Sequence, residues 1–376
     1  MLANELRKCW VPSVSVNEKV PKVLMIGPSL DSHGGMSSFA SAVLEEASKR
    51  DDILINYFAT VIPGSKVKKL IYGLKSVLGF LRTVANYDVV HINYATGLSM
   101  GRKRLFELVA RARRKKIVIH SHGSEDEHRL RKGDRHLVAR HLSFVAHSDA
   151  LIVISDHWKN LYISLGIPKQ KISVLRNGVR LLSDEEPVAV ERDSVRLLYL
   201  GRLEDEKGVM DLLEALRLME SRLPSIKYKL ILAGTGLDSD LARYESEAKR
   251  LKCDVEFVGW VEGADKDGLT KGSDIFVLPS HSEVLPMSML EAMGAGVACI
   301  ASRVGAIPSV IDDEMNGLLV DAGNCDDLAL AIEQLIVNGR KRRSLATAGW
   351  HTVKDGYSIG ATVDGLRAIY LSILES

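Results

Sequence analysis

The sequence predicts two doubly wound α/β domains in tandem, and three observations carry that expectation. Short apolar runs recur along both halves and alternate with helical patterns, as βαβ units around a parallel sheet require. At 376 residues the chain exceeds one ordinary hydrophobic core. A polar, aperiodic stretch from Arg180 to Asp193, containing Pro187, separates the two series of runs and reads as a linker. The expected division is an extension over 1–21, a first domain over 22–185 and a second over 194–355.

Composition narrows the classes of function. A formal net charge of +2 argues against a nucleic-acid binder driven by bulk charge. Cys9, Cys253, Cys299 and Cys325 have no paired spacing, which points to a reducing compartment rather than a disulfide or zinc framework. The segment Met1 to Pro21 carries Glu5, Arg7 and Lys8 without a continuous apolar stretch, so it does not read as a signal peptide. No window approaches the ~20 apolar residues of a membrane span. The expectation is a soluble cytoplasmic protein, or one held peripherally on a membrane face.

In the first half, the strand Lys22 to Gly27 opens into Pro28 and the pair Gly34-Gly35, and a helix follows from about Met36 to Lys49. Strand, glycine turn and helix let backbone amides approach a phosphate, although many such turns carry glycine only for sharp geometry. The G-x-G-x-x-G fingerprint is missing, which disfavours a nicotinamide dehydrogenase. Further strands are expected at Ile53–Thr60, Asp88–Asn93, Lys116–His120, Ala150–Ile154 and Ile172–Leu175. Two intervening segments are basic. Lys66, Lys68, Lys69, Lys75 and Arg82 flank an apolar stripe, and Arg102 to Lys116 adds a second positive surface. Two readings stand for them: crossover helices with solvated lysines, or an electrostatic dock for anionic lipid headgroups or a pyrophosphate-bearing lipid.

The strand ending at Ile119 runs into His120-Ser121-His122 and on through Gly123 to His128. Three readings compete here. A His-x-His pair can hold a metal, but no further well-spaced ligand is evident. The histidines can be ordinary loop residues. The third makes His122 a polar contact to substrate and leaves His120 structural.

The second half starts its strands at Val195–Leu200, Tyr228–Ala233, Val255–Val258, Asp274–Leu278, Val297–Ala301 and Gly317–Val320. The first ends in Gly201-Arg202, with Lys207-Gly208 following, where two cations suit the clamping of a diphosphate. The second ends in Gly234-Thr235-Gly236, which lets backbone approach a ligand. The third ends in Gly259-Trp260, offering a surface to a base or simply a packed rim aromatic. After the fourth, Glu283 stands in a loop and Pro286 is expected at the first position of a short helix that carries Glu291 and ends near Gly294 and Gly296. Free amides at that helix start would lie between the two carboxylates, a nucleotide-sugar site in outline. Glutamates near a helix start are also common for electrostatic reasons alone.

Gly201-Arg202-Leu203 with Lys207-Gly208, the Glu283-x7-Glu291 spacing, and Ala301-Ser302-x-x-Gly305 before Ile307-Pro308 resemble the retaining, GT-B fold glycosyltransferases of family 4. The Gly34-Gly35 turn and the His122-Gly123 pair fit that family's first domain, and the resemblance spans nearly all the chain after Pro21. It implies the GT-B arrangement of two Rossmann-like domains facing across a cleft, with a terminal helix of about 356–376 crossing back to the first domain. It implies that Arg202 and Lys207 neutralise a departing diphosphate, that Glu291 accepts hydrogen bonds from the donor ribose, and that Glu283 meets hydroxyls of the transferred sugar. Gly34 and Gly35, Gly234 and Gly236, Gly259 and Trp260, and Leu285, Pro286, Met287, Ser288 and Leu290 would complete the donor site, with His122 near the reacting sugar.

The implied activity is retaining, metal-independent transfer of a hexose-type sugar from a nucleotide diphosphate sugar, foremost a UDP-sugar, to a saccharide or lipid-linked acceptor in polysaccharide or glycolipid assembly. A nucleotide-sugar epimerase and a non-catalytic relative that binds nucleotide sugar or a partner subunit are the alternatives. One position departs from the family pattern. Val284 stands where glycine usually follows the first glutamate, and a positive φ there would strain a β-branched residue.

Overall fold

The computed structural model describes residues 20–32, 34–62, 66–95, 98–122, 129–130, 132–183, 185–188 and 193–376, with the side chains at 66–71, 74 and 98 left undescribed. The expectations for the 1–19 part of the extension, for Cys9, for the lysines 66, 68 and 69, and for the loop 123–128 lie outside these residues.

Two six-stranded sheets organise the chain. The first contains β1 (Lys22–Pro28), β2 (Leu54–Val61), β3 (Val89–Tyr94), β4 (Lys116–Ser121), β5 (Ala150–Val153) and β6 (Ile172–Val174), in the order β2-β1-β3-β4-β5-β6. The second contains β7 (Val195–Leu200), β8 (Tyr228–Ala233), β9 (Asp254–Gly259), β10 (Ile275–Leu278), β11 (Ala298–Ser302) and β12 (Leu318–Val320), in the order β12-β11-β10-β7-β8-β9. All the recorded pairings are parallel. The central strands are buried on both faces, which explains their continuous Val, Ile and Leu composition without period-two alternation.

Helices cover both faces. In the first lobe these are α1 (Gly35–Ala47), α2 (Lys66–Thr83), α3 (Leu98–Ala112), α4 (Arg135–Val145) and α5 (Asp156–Ser164). In the second they are α6 (Val209–Arg222), α7 (Asp238–Ala248), α8 (Gly263–Lys271), α9 (Met287–Gly294), α10 (Cys325–Val337) and α11 (Gly339–Gly356). Several start on side-chain caps that satisfy otherwise orphaned amides: Asp134 accepts from Leu137 N, Ser155 from Trp158 N and Asn324 from Asp327 N.

The chain then returns. Tyr357 breaks the helical path, and α12 (Ile359–Glu375) lies on the first lobe, capped by Ser358. Its Val363, Leu366, Tyr370 and Ile373 share a buried cluster with Val23 and Met25 of β1 and Phe39 and Val43 of α1. Two strands of chain cross between the lobes side by side, because Val179 N donates to Tyr357 O at 2.9 Å and Ile359 N donates to Val179 O at 3.0 Å. Among the described residues no helix is long and apolar enough to cross a membrane.

Candidate active site

Strand order decides where a ligand can sit. In open parallel sheets the crevice opens beyond the carboxyl ends of strands at the point where the winding reverses. That point falls between β1 and β3 in the first sheet and between β7 and β10 in the second. The loops after these strands face one another across a cleft of about 820 Å³ lined by both lobes.

From the second lobe, β7 delivers Gly201 and Arg202, and β10 delivers the loop that contains Glu283. Lys207 Nζ stands 2.8 Å from Glu283 Oε1 and also donates to Ser282 O at 3.1 Å, while Ser280 Oγ donates to the same carboxylate oxygen at 3.1 Å. Both side chains of the Lys207–Glu283 pair are 15% exposed, so the pair is shielded but not fully buried at the cleft wall. Arg202 is half exposed and pairs with Glu204 at 2.8 Å, with its backbone carbonyl held by the buried Tyr199 hydroxyl at 2.6 Å. Burial, with the Glu283 charge adding to it, raises the Tyr199 phenol well above its ordinary range and keeps it a neutral donor.

Glu291, one turn into α9, is held by Lys266 of α8 at 2.7 Å. Sequence reasoning missed Lys266. Its helix is polar and weakly periodic, so no pattern marked it, and only the fold brings it to Glu291.

Several details of this lobe correct the sequence expectations. Pro286 is not the first helical residue but the cap before it, with φ −73° and ψ 120°, so its extended backbone turns the loop into α9. Val284 carries no backbone strain, since the only non-glycine residues with positive φ among those described are Arg114 and Glu314. The special backbone sits opposite it at Gly305, where φ is +54° and a Cβ would meet Glu283 O at 1.9 Å; Ala306 N then donates to Val284 O at 2.8 Å. Gly234 and Gly236 are not among the residues lining the cleft, although their neighbour Ala233 is. Their missing Cβ atoms let the β8 loop press onto backbone carbonyls of Gly201 and Leu203, which a Cβ would meet at 1.7 and 2.1 Å. Leu290 is likewise buried in the core below α9 rather than on the cleft wall, and Gly259 shapes the turn with φ +73° while Trp260 lines the cleft.

The remaining candidates meet in the cleft. Leu285, Pro286, Met287 and Ser288 line it with Glu283 and Glu291, and Gly34, Gly35 and His122 line it from the first lobe. Gly35 lies against the other lobe, since a Cβ there would be 3.8 Å from Met287 Cγ.

His122 follows β4 and is half-buried at the cleft wall. Its Nε2 stands 2.8 Å from Asn93 Oδ1, and its ring stacks on buried His120 with centroids 4.2 Å apart. Burial, then the neighbouring His91 and Lys103, pulls its pKa down to about 3, so the ring is neutral at ordinary pH. Lys103 of α3 is itself buried with Ser99 Oγ at 2.9 Å, and burial lowers its pKa to about 7. No group of three or more His, Cys, Asp or Glu side chains among the described residues is placed to hold a metal ion.

Two lobes whose winding-reversal points converge on one cleft, with cations and carboxylates on the second lobe, define a GT-B architecture. Residues 183–351 match the sequence profile of glycosyl transferases group 1, and residues 40–181 match that of glycosyltransferase family 4. The chain belongs to this family of GT-B glycosyltransferases. It is 26% identical over 322 residues to the Escherichia coli UDP-Gal:alpha-D-GlcNAc-diphosphoundecaprenol alpha-1,3-galactosyltransferase, covering 81% of each chain. It is 27% identical to the D-inositol 3-phosphate glycosyltransferase of Thermobifida fusca, over 80% of this chain and 74% of that one. Among solved structures, HepE of Anabaena in complex with UDP superposes with a TM-score of 0.71 at 18% identity, over 93% of this chain and 99% of that one.

Proposed function

We propose that this protein is a retaining glycosyltransferase that moves a hexose-type sugar from a UDP-sugar to an acceptor hydroxyl in polysaccharide or glycolipid assembly. The observation that carries the reading is the convergence of Arg202, Lys207, Glu283 and Glu291 on one interlobe cleft. In this reading the diphosphate rests on Arg202, Lys207 and the first amides of α9, which have no intrahelical acceptor. These groups are in place before charge develops on the leaving oxygen, so they favour the transition state over the bound donor. Glu291, oriented by Lys266, takes the ribose hydroxyls, and Glu283, oriented by Lys207 and Ser280, takes hydroxyls of the sugar. Charge neutralisation by these side chains and amides makes the proposed transfer metal-independent.

The donor is read as UDP-linked because the E. coli relative is named for UDP-galactose and because HepE is complexed with UDP and with UDP-glucose. The same relative's name supplies the acceptor class, a saccharide on a lipid diphosphate. A cytoplasmic protein, peripheral on the membrane, suits such an acceptor. Support comes from exposed Leu78 between exposed Lys75 and Arg82 on α2, and from exposed Leu105 and Arg111 on α3.

The test is donor breakdown without acceptor. Lys207→Ala lowers the rate of UDP release from the donor about 100-fold, as loss of one developing-charge donor does. Net UDP release in the wild type also separates transfer from epimerisation, which would interconvert nucleotide sugars and leave the sugar joined to the diphosphate at the end of turnover. An undiminished rate in Lys207→Ala would remove the leaving-group role.

A further inference from the structure

A chain of buried polar groups runs from the terminal helix to His122. Tyr370 of α12 is fully buried, and its hydroxyl lies 2.7 Å from His91 Nδ1. His91 of β3, also fully buried, places Nε2 3.3 Å from Asn93 Oδ1 and 3.2 Å from His120 Nδ1. Asn93 then meets His122 Nε2 through the same Oδ1 at 2.8 Å. Phe39 of α1 stands edge-on to His120 and His122, with centroids 5.1 and 5.0 Å away, and closes the stack from the other side.

Hydrogen-bond bookkeeping assigns the protons. Asn93 Nδ2 donates to Ile26 O at 3.4 Å, which leaves Oδ1 as the atom facing the histidines. A carbonyl oxygen only accepts, so His122 must carry its hydrogen on Nε2. His91 Nε2 faces both that oxygen at 3.3 Å and His120 Nδ1 at 3.2 Å, and a hydrogen on it serves both acceptors, which puts the hydrogen of His120 on its unpartnered Nε2 and leaves His91 Nδ1 to accept from the Tyr370 hydroxyl. The opposite arrangement, with His120 Nδ1–H donating to His91 Nε2, would set the lone pairs of His91 Nε2 and Asn93 Oδ1 against each other at 3.3 Å.

We propose that Asn93, His91 and Tyr370 are positioning residues that lock His122 as the Nε2–H tautomer and leave its Nδ1 as a hydrogen-bond acceptor for a hydroxyl of the transferred sugar. This rests on the donor reading above for the identity of the sugar. The terminal helix thereby does more than cover the first lobe. It enters immediately after the crossing at Tyr357–Ile359, so the element that tethers the lobes also sets the ring at the cleft. Mislaid groups of this kind lower turnover by about 10- to 100-fold while affinity for UDP itself, carried by the other lobe, stays constant.

The test is two-bond 1H–15N correlation on the full-length protein labelled with 15N-histidine. The expected result is a neutral Nε2–H signature for His122, averaging between tautomers in Asn93→Ala. Tyr370→Phe, a milder change should Asn93→Ala fold poorly, is expected to move the His91 Nδ1 resonance and leave the fold intact. Addition of UDP-glucose is expected to shift His122 Nδ1, and UDP alone is not. An Nδ1–H signature in the wild type, or an unchanged His122 in Asn93→Ala, overturns the proposal. So does bound UDP-glucose, verified by calorimetry, that leaves Nδ1 unmoved. Failure of every nucleotide sugar to bind would count against the donor reading, while the two ligand-free signatures would still decide the positioning claim.

Discussion

At the scale of single residues, the donor side of the cleft is a set of carboxylates each held by a lysine. Lys207 steadies Glu283 and Lys266 steadies Glu291, both at 2.8 Å or closer. The first pair was legible in the sequence as two residues of interest, though not as partners, because their contact spans 76 positions. Gly305 has a sharper consequence. Alanine there faces φ +54° and a 1.9 Å collision with Glu283 O, so Gly305→Ala is expected to cost about 1–3 kcal/mol or more and to displace the glutamate. Urea unfolding alongside donor breakdown checks this, and an unperturbed variant would contradict the close approach.

His91 supplies a second residue-scale prediction, which rests on this ring because it is fully buried whereas His122 opens partly to the cleft. Burial, offset by the Asn93 hydrogen bond, lowers its pKa to about 3, against ~6.5 in an unfolded chain. A neutral native ring favours folding fully above pH ~6.5, and that contribution is lost as pH falls toward the native value. Between about pH 7.5 and pH 5 the loss is about 2 kcal/mol for this one group. Stability of His91→Asn, measured by urea unfolding at both pH values, should fall correspondingly less on acidification than that of the wild type. Equal slopes would show that His91 does not titrate as its burial dictates.

At the scale of elements, strands were the most legible features. Strands β7 and β8 match their expected ranges at both ends, because their buried residues form the continuous apolar runs Leu197–Leu200 and Leu230–Ala233. Helix starts were less so. Pro286 satisfies the statistics for a first helical residue, yet its ψ of 120° makes it the residue before the turn. The glycines of the β8 loop illustrate another limit. A glycine needed for ligand approach and one needed for backbone packing are identical in sequence, and only the Gly201 and Leu203 carbonyls distinguish them. For α2 and α3, the exposed Leu78 and Leu105 beside exposed cations predict that the protein co-sediments with phosphatidylglycerol vesicles at low salt. Charge reversal at Lys75, Arg82 and Arg111 should release it, and sedimentation unaffected by that change would assign these helices to solvent.

At the scale of the molecule, alternating runs were enough to expect two α/β lobes, but strand order was not readable, since periodicity carries no information on which strands are neighbours. Order matters most here. It places the carboxyl ends of β7 and β10 side by side, and so brings Arg202 and Lys207 to the loop of Glu283. It also places β3 beside β4, which joins Asn93 to His122. The return of α12 to the first lobe then ties both crossings together at Val179 and Tyr357.

The central claim is that cations and carboxylates of the second lobe hold one nucleotide diphosphate sugar in the interlobe cleft. Isothermal titration of the protein with UDP-, GDP- and ADP-sugars tests it most directly. One-site binding of a UDP-sugar is expected, weakened at least about tenfold, roughly 1.4 kcal/mol, in both Lys207→Ala and Glu291→Gln. Binding of equal strength in those variants, or no binding by any member of the panel, would contradict it.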